Sequence, residues 1–463
     1  MKKNYLSIFL LFSLTCFSQS SKQLGEVIKN TNITELVKLG KQFNAEFIER
    51  EKRITEFLSK NKSIRRTVDN SFSKKEIYDI IDNKIIYYQT SNFNSSKTIR
   101  TDRLYSGGSL GLNIQGQGMK AFVWDGGGAL TTHVEFPNNK VTIIDAAEII
   151  DHATHVTGTI VAQGITPALR GIAFNASVDS YNWTNDLVEM TNEATKGMLI
   201  SNHSYVTVAS SEWVFGAYNI KARQFDQIAF NAPYYLAVGA AGNDRNKTAE
   251  PVFGQQISDK YGYDLVTGMQ NSKNMLTVGA VNQVLNYTGP ESVTMSNFSN
   301  WGPTDDGRIK PEVVAKGVAV RSTVSTSDTA NANYNGTSMA SPAVAGAALL
   351  MQQHYYNSNT AFMKAATLKG LLMHTADEAG VSPGPDYEYG WGLVNAEKAA
   401  TLITNKATNT AIITELTLNN GATFTRSVTV NGPEPLMVSI SWTDRAANAN
   451  TTGTVDPTTL YLN

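Results

Sequence analysis

Residues 335–342, Asn-Gly-Thr-Ser-Met-Ala-Ser-Pro, constrain the fold of this chain more than any other segment, because a tight turn of small residues runs directly into an apolar stretch. Residues 343–351 contain no proline and no glycine except Gly346, which predicts a buried helix. Ser338 would then lie at the helix N-terminus, where N–H groups and the dipole favour negative charge. An acyl-transfer enzyme needs its nucleophile there, because an oxyanion develops beside it. Taken alone, the segment is equally well interpreted as a helix cap.

Two further segments carry groups that complete this chemistry. Residues 119–123 form an apolar run that predicts a buried strand, and Asp125 follows at its carboxyl end, where sites occur in open α/β sheets. His152 opens a segment that leads into a small, apolar helix pattern. The chain order Asp125, His152, Ser338 is one of the orders in which a Ser-His-Asp triad occurs.

Together these segments resemble the subtilisin-like serine proteases, the subtilase family. Residues 336–342 match the family's serine motif, Gly-Thr-Ser-Met-Ala-x-Pro. Residues 152–159 match its histidine motif except at Ala153, where the family usually has glycine. We expect alanine to be tolerated there if the backbone has negative φ. Residues 238–244 resemble the strand and turn that carry the family's oxyanion-hole asparagine, here Asn243.

A fifth motif, residues 299–315, resembles the segment that precedes the serine motif in the family. Glu312 stands in it where the family usually has Asp, and Lys316 follows where the family usually has Pro. The resemblance extends over residues 99–400, which we therefore expect to form a subtilisin-like peptidase domain.

The pattern of these residues agrees with the fold that the resemblance implies. Apolar strand-like runs alternate with helical stretches, which predicts an α/β fold with a mainly parallel sheet flanked by helices. The strand-like runs include residues 120–123, 178–181, 236–240 and 275–281. The last helix is predicted over residues 367–376.

The resemblance implies a role for each motif residue. Ser338 would attack the scissile carbonyl, His152 would act as base and then acid, and Asp125 would orient His152. Asn243 and the backbone N–H of Ser338 would bind the oxyanion. Such an enzyme needs no catalytic cofactor. Family members often bind structural calcium, for which this sequence assigns no ligands.

Substrate binding is predicted at Ser204, Tyr205 and Val206, within a segment that resembles the family's substrate-cleft strand. A protein or peptide substrate would pair with their backbone as an added β-strand. Val206 stands where the family usually has glycine, so the shape of the specificity pocket differs from the family pattern. For any single side chain there, an ordinary buried strand end is the alternative.

The first 18 residues have the pattern of a secretory signal peptide. Lys2 and Lys3 precede an apolar run too short to span a membrane. We therefore expect the protein to be secreted. The only cysteine of the chain, Cys16, lies in this segment, so the mature protein would have no disulfide. The alternative is that Cys16 carries a lipid.

Residues 19–98 are predicted to form an N-terminal extension. Apolar residues recur at helical spacing up to Lys60, a second helix is predicted over residues 74–81, and a strand over residues 84–88. This extension is interpreted as a propeptide that acts as an intramolecular inhibitor. The alternative is a helical extension retained in the mature enzyme.

Residues 408–463 alternate polar and apolar side chains between Asn-Gly turns, which predicts β-strands. About four strands fit there, whereas a β-sandwich has about seven. The sequence therefore predicts a C-terminal β-sandwich domain that is apparently incomplete.

The charge balance and two alternatives complete the interpretation. With 39 basic and 40 acidic residues the net charge is −1, which gives no indication of nucleic-acid binding or of a basic membrane anchor. No membrane span and no metal site are predicted, although His152 and His155 have a spacing that also occurs in zinc sites. A catalytically inactive binding or adhesion protein with a subtilase fold is the alternative function.

Overall fold

The computed structural model describes most of the chain. The described residues are 21–70, 73–81, 84–89, 96–145, 148–209, 211–247, 251–252, 255–430, 432–433 and 436–451. The predicted signal peptide, residues 1–18, lies outside them. Among the described residues, none of the helices combines the length and the apolar composition needed to cross a bilayer.

The described part of the N-terminal extension contains two helices and three strands. These are α1 (Ser21–Lys29), α2 (Ile33–Lys60), β1 (Thr67–Asn70), β2 (Ser73–Ile81) and β3 (Lys84–Gln89). The long predicted helix is confirmed as α2, which begins where the Asn32 side chain accepts a hydrogen bond from the Glu35 N–H. The predicted strand is confirmed as β3.

The helix predicted over residues 74–81 is wrong, because these residues form strand β2. This segment pairs antiparallel with β3, from Ile81 opposite Lys84 back to Lys75 opposite Gln89. Backbone pairing on both sides, with β1 and β3, outweighs the weak local helical pattern.

The α/β core, residues 99–400, is built on a seven-stranded parallel sheet, as predicted. Its strands and those of the small sheets are β4 (Lys120–Asp125), β5 (Val141–Ile143), β6 (Ser177–Asn182), β7 (Ile200–His203), β8 (Val206–Thr207), β9 (Leu236–Ala240), β10 (Pro251–Val252), β11 (Gln255–Gln256), β12 (Leu276–Val281), β13 (Val313–Lys316), β14 (Val320–Thr323) and β15 (Asn331–Tyr334). The seven strands lie in the order β13-β12-β9-β7-β4-β6-β5, and every neighbouring pair is parallel. Their carboxyl ends therefore meet at one edge.

Six helices complete the described part of the core and its boundary. They are α3 (Asp151–Val161), α4 (Asp186–Thr195), α5 (Ile220–Asn231), α6 (Thr337–Asn359), α7 (Ala365–His374) and α8 (Ala396–Ala407). The predicted buried helix after the serine motif is α6, in which every residue from Thr337 to Tyr355 is buried. Because α6 packs on β7, β9, β12 and β13, the core anchors Ser338 firmly.

The N-terminal extension packs directly on the α/β core. Leu36, Leu39 and Phe43 of α2 are buried in one apolar cluster with Met190 of α4 and Phe225 of α5. Burial of each such side chain stabilises the contact by roughly 1.5–3 kcal/mol. Strand β3 also pairs antiparallel with β8 of the core, which extends the small sheet to the order β1-β2-β3-β8.

The predicted β-sandwich strands are absent from the described part of the C-terminal tail. Residues 411–430 and 436–451 run along the core without strand pairing. Polar contacts hold the tail there: the Glu415 carboxylate accepts from the Lys364 N–H at 2.7 Å, and Asp444 pairs with Lys273 at 2.7 Å. An alternating pattern forms a strand only where a partner backbone completes the ladder, and the described tail segments make isolated bonds to the core instead.

Candidate active site

Asp125 and His152 are brought together at the carboxyl edge of the sheet. Asp125 is the last residue of β4, and His152 lies in the first turn of α3. Strand β4 and helix α3 pack against each other. Both Asp125 carboxylate oxygens lie 2.8 Å from His152 Nδ1, in a pocket where Asp125 is fully buried. Because an ionised carboxylate only accepts, Nδ1 carries the proton and Nε2 carries the lone pair. His152 Nε2 has no hydrogen-bond partner among the described residues.

Ala153 is accommodated for the reason expected from the sequence. It lies inside α3, where the backbone has the negative φ that any residue adopts. The departure from the family's glycine therefore leaves the helix that carries His152 intact.

Ser338 lies in the first turn of α6, as predicted, and is held by two hydrogen bonds to Ser204. Its Oγ donates to the Ser204 carbonyl at 2.9 Å, and Ser204 Oγ donates to the Ser338 carbonyl at 2.7 Å. The second bond exists because Pro342, four residues further along α6, has no N–H to donate to that carbonyl. Asn202 Nδ2 in turn donates to Ser204 Oγ at 2.9 Å.

Asn243 follows β9, and its orientation is set by Thr337, the residue before Ser338. Asn243 Oδ1 accepts from the Thr337 N–H at 2.8 Å and from Thr337 Oγ1 at 3.1 Å. This fixes the side-chain NH₂ on the opposite side of the amide. Gly242 allows the tight turn, because its φ is +108° and a Cβ there would lie 2.3 Å from Asn300 Nδ2.

The predicted substrate residues lie beside Ser338 but differ in how exposed they are. Ser204 and Tyr205 are fully buried, whereas Val206 is half-buried. The Tyr205 side chain points away from Ser338 and donates to Asp186 Oδ2 at 2.9 Å. Only the backbone of this segment is therefore suited to pair with an extended peptide, and that edge is contacted by Gln89, which pairs with Val206.

A half-buried acidic group that contacts Trp124, the residue before Asp125, has no signal in the sequence. Trp124 Nε1 donates to Glu189 Oε2 at 2.9 Å, and the Trp124 ring stacks on Tyr181 at 4.6 Å. Burial raises the pKa of Glu189 to about 8, and the neighbouring Asp145 and Asp186 carboxylates act in the same direction. At neutral pH this carboxyl group is therefore mostly protonated.

Metal ligation was tested on the residues present. In the described part of the chain, no group of three or more His, Cys, Asp or Glu side chains is arranged to hold a metal ion. His155 lies one turn after His152 with its ring stacked on Tyr334 at 5.1 Å. Burial, and to a smaller extent His152, hold the pKa of His155 well below its usual value.

Comparison with known proteins agrees with this geometry. A C5a peptidase of Streptococcus pyogenes is 35% identical over 159 residues, which cover 32% of this chain and 13% of that protein. Bacillopeptidase F of Bacillus subtilis is 25% identical over 298 residues, or 58% of this chain and 19% of that protein. Subtilisin DY of Bacillus licheniformis is 26% identical over 313 residues, which cover 65% of this chain and 96% of that protein. The matched part of this chain thus spans less than a fifth of the length of the first two relatives.

The sequence model of the subtilase family matches residues 129–392, which is more than half of the chain. The match includes His152, Asn243 and Ser338, and Asp125 lies four residues before it. Because of this match, the chain belongs to the subtilase family of serine peptidases.

Proposed function

We propose that the protein is a serine endopeptidase in which Asp125, His152 and Ser338 form the catalytic triad. The observation that carries this proposal is the fully buried Asp125 carboxylate at 2.8 Å from His152 Nδ1, which leaves the Nε2 lone pair to act as base. Ser338 at the N-terminus of α6 supplies the nucleophile, at a helix end that favours developing negative charge.

The reaction proceeds through an acyl-enzyme. Ser338 Oγ bonds to the scissile carbonyl carbon while its proton passes to His152 Nε2. The tetrahedral intermediate then breaks its C–N bond, and the amine leaves with the proton from His152. Asp125 stabilises the imidazolium in between. Water hydrolyses the resulting ester by the same sequence of proton transfers.

The oxyanion of each tetrahedral intermediate is bound by Asn243 and by the Ser338 N–H. Thr337 holds Asn243 through its oxygen, so the side-chain NH₂ is pre-oriented and loses little entropy when the charge develops. All these groups belong to the protein chain itself.

Substrates are proteins or peptides that bind in extended form. Their backbone adds to the edge formed by Ser204, Tyr205 and Val206, which places the scissile bond at Ser338 because Ser204 is bonded to it. The name C5a peptidase belongs to one relative, and it does not identify the substrate of this protein.

The N-terminal extension acts as an inhibitor of this site. Gln89 of β3 pairs with Val206, so the extension already occupies one end of the edge that a substrate would use. Helix α2 anchors it through the apolar contact of Phe43 and through Arg50, whose Nη2 donates to the Thr184 carbonyl at 2.9 Å. Removal of the extension would open the edge to substrate.

Export to the extracellular space fits the pattern of residues 1–18, in which basic residues precede an apolar run. Pulse-labelling of the protein in cells, followed by N-terminal sequencing of the exported form, tests the proposed export and signal-peptide cleavage. A protein retained inside the cell would contradict it.

The triad is tested by labelling the full chain with a fluorophosphonate probe, comparing wild type with Ser338→Ala. Ser358→Ala is the matched control, because Ser358 lies exposed on the same helix. We expect labelling of the wild type and of Ser358→Ala, and none of Ser338→Ala. Labelling that survives in Ser338→Ala would show that another residue is the nucleophile.

Inhibition by the extension is tested in the same assay with Phe43→Asp, which puts a charge into the contact between α2 and the core. Phe43 is 2% exposed, whereas Val37 on the same helix is 46% exposed, so Val37→Asp is the matched control. Faster labelling in Phe43→Asp alone is expected, because the docked extension is loosened. Equal labelling rates in all three proteins would contradict the inhibitor role.

A further inference from the structure

A chain of buried hydrogen bonds lies directly beneath the substrate-binding segment. Tyr235 Oη lies 2.6 Å from Ser201 Oγ, which lies 2.7 Å from His203 Nε2. His203 Nδ1 lies 3.0 Å from Tyr205 Oη, and Tyr205 Oη donates to Asp186 Oδ2 at 2.9 Å. All five residues are at most 1% exposed. None of them takes part in the proposed chemistry.

In this chain of hydrogen bonds, every bond runs from donor to acceptor in the same direction, from Tyr235 towards Asp186. Lys221 Nζ lies 2.6 Å from Asp186, whose carboxylate only accepts. Tyr205 gives its single proton to Asp186, so its oxygen accepts from His203 Nδ1–H. His203 Nε2 must then accept from Ser201 Oγ. This direction requires a neutral His203, and burial lowers the pKa of His203 to about 3.

Ser204 connects this hydrogen-bond chain to Ser338. His203 ends β7 and Tyr205 follows two residues later, and both rings belong to the hydrogen-bond chain, whereas the Ser204 side chain between them bonds to Asn202 and Ser338 instead. Ser204 makes the two hydrogen bonds to Ser338. The His203 and Tyr205 rings and the Ser204 side chain therefore hold the same stretch of backbone through different partners. Trp124 adds to this by stacking on the His203 ring at 5.4 Å.

We propose that His203 and Tyr205 are positioning residues that hold the backbone of Ser204 to Val206 in the register that binds an extended peptide. The Asp186–Lys221 ion pair is the fixed end of their hydrogen-bond chain. This inference builds on the proposed peptidase function, because it assigns a role to residues beneath that site. Loss of the Tyr205 hydroxyl removes one hydrogen bond from Asp186, which keeps Lys221, and takes away the acceptor of the His203 Nδ1–H, so this stretch of backbone loses part of its anchor.

The test compares Tyr205→Phe with the matched control Tyr218→Phe in the full chain. Tyr218 is also buried and also donates to a buried carboxylate, Asp226 at 2.8 Å, but it lies in the loop before α5 and contacts the tail. Two substrates are used in the form of the protein that reacts with fluorophosphonate. One is a peptide long enough to pair with the strand, and the other is a small ester that reaches only Ser338.

We expect Tyr205→Phe to lower kcat/KM for the peptide by about tenfold, the effect of one lost hydrogen bond to a charged group, mainly through KM. The ratio of kcat/KM for the peptide to kcat/KM for the ester should therefore fall in Tyr205→Phe and stay at the wild-type value in Tyr218→Phe. An equal loss on both substrates would overturn the proposal, because it would indicate only a smaller folded fraction.

Hydrogen exchange followed by mass spectrometry tests the positioning role without a measurement of enzyme activity. Amides of residues 203–207 should exchange faster in Tyr205→Phe than in Tyr218→Phe. Unchanged exchange there would overturn the positioning role. A protein that fluorophosphonate does not label, yet shows faster exchange, would contradict the peptidase function while supporting the role of the hydrogen-bond chain.

Discussion

Removing the charge of Glu135 should have a large effect on stability. Its carboxylate is fully buried and accepts three backbone hydrogen bonds, from Gly164 at 2.6 Å, Ile165 at 2.9 Å and Thr166 at 2.7 Å. These N–H groups belong to the loop that follows α3, the helix that carries His152. Glu135 therefore holds the exit of the helix on which the proposed base lies.

Glu135→Gln keeps the shape of the side chain but removes its charge and one acceptor oxygen. The remaining oxygen can bond Gly164 and Ile165, while the new NH₂ group faces the Thr166 N–H. One hydrogen bond to a charged group is lost, worth about 2 kcal/mol, and the other two weaken by roughly half. The free energy of unfolding should therefore fall by about 4 kcal/mol.

The measurement is urea unfolding of the full chain, followed by tryptophan fluorescence, with m-values compared to confirm the same transition. Glu291→Gln is the control, since Glu291 is exposed and its substitution should change the free energy of unfolding by less than about 0.5 kcal/mol. If Glu135→Gln unfolds within about 1 kcal/mol of wild type, the three hydrogen bonds do not hold the loop and the reasoning is refuted.

Three further predictions concern the site. Asn243→Ala should lower kcat for peptide cleavage by about a hundredfold or more with little change in KM, a magnitude taken from subtilisins themselves, and a change confined to KM would contradict the oxyanion role. Glu189 holds its proton up to about pH 8 when folded but only to about pH 4 when unfolded, so its contribution to stability is full at low pH and is lost as pH rises through that window. Glu189→Gln should therefore flatten the fall of unfolding free energy between about pH 5 and 8, and an unchanged slope would show that another group is responsible. Nitrogen-15 NMR of labelled histidines should find His203 neutral with its proton on Nδ1, and a proton on Nε2 would reverse the proposed hydrogen-bond direction.

The parallel sheet, the buried helix α6 and the long helix α2 were all predictable from the sequence. Each depends on a local pattern, such as the apolar run after Ser338 or the helical spacing of Leu36, Leu39 and Phe43, that extends over enough residues to indicate its own period. The motif residues Asp125, His152 and Ser338 were identified in the same way, because their neighbours in the chain resemble a known family.

The errors occurred where the local pattern was weak and distant partners decided. Residues 74–81 form a strand because β1 and β3 lie on either side of them. The tail alternates like a strand, yet its described residues make isolated bonds to the core, such as those to Lys273 and Asn274, and no strand ladder. Sequence periodicity records which face is apolar, and it carries no information on which partner is available.

The sequence by itself determined the family, the α/β architecture and the identity of the groups that could carry the chemistry. Only the tertiary structure decided how those groups are held: Asp125 against His152, Ser204 against Ser338, and the chain from His203 to Asp186 beneath them. Residues in these contacts lie up to 134 positions apart in the chain. Hydrogen bonds depend on distance and direction in space, so their partners are set by packing of the whole core and not by neighbouring residues.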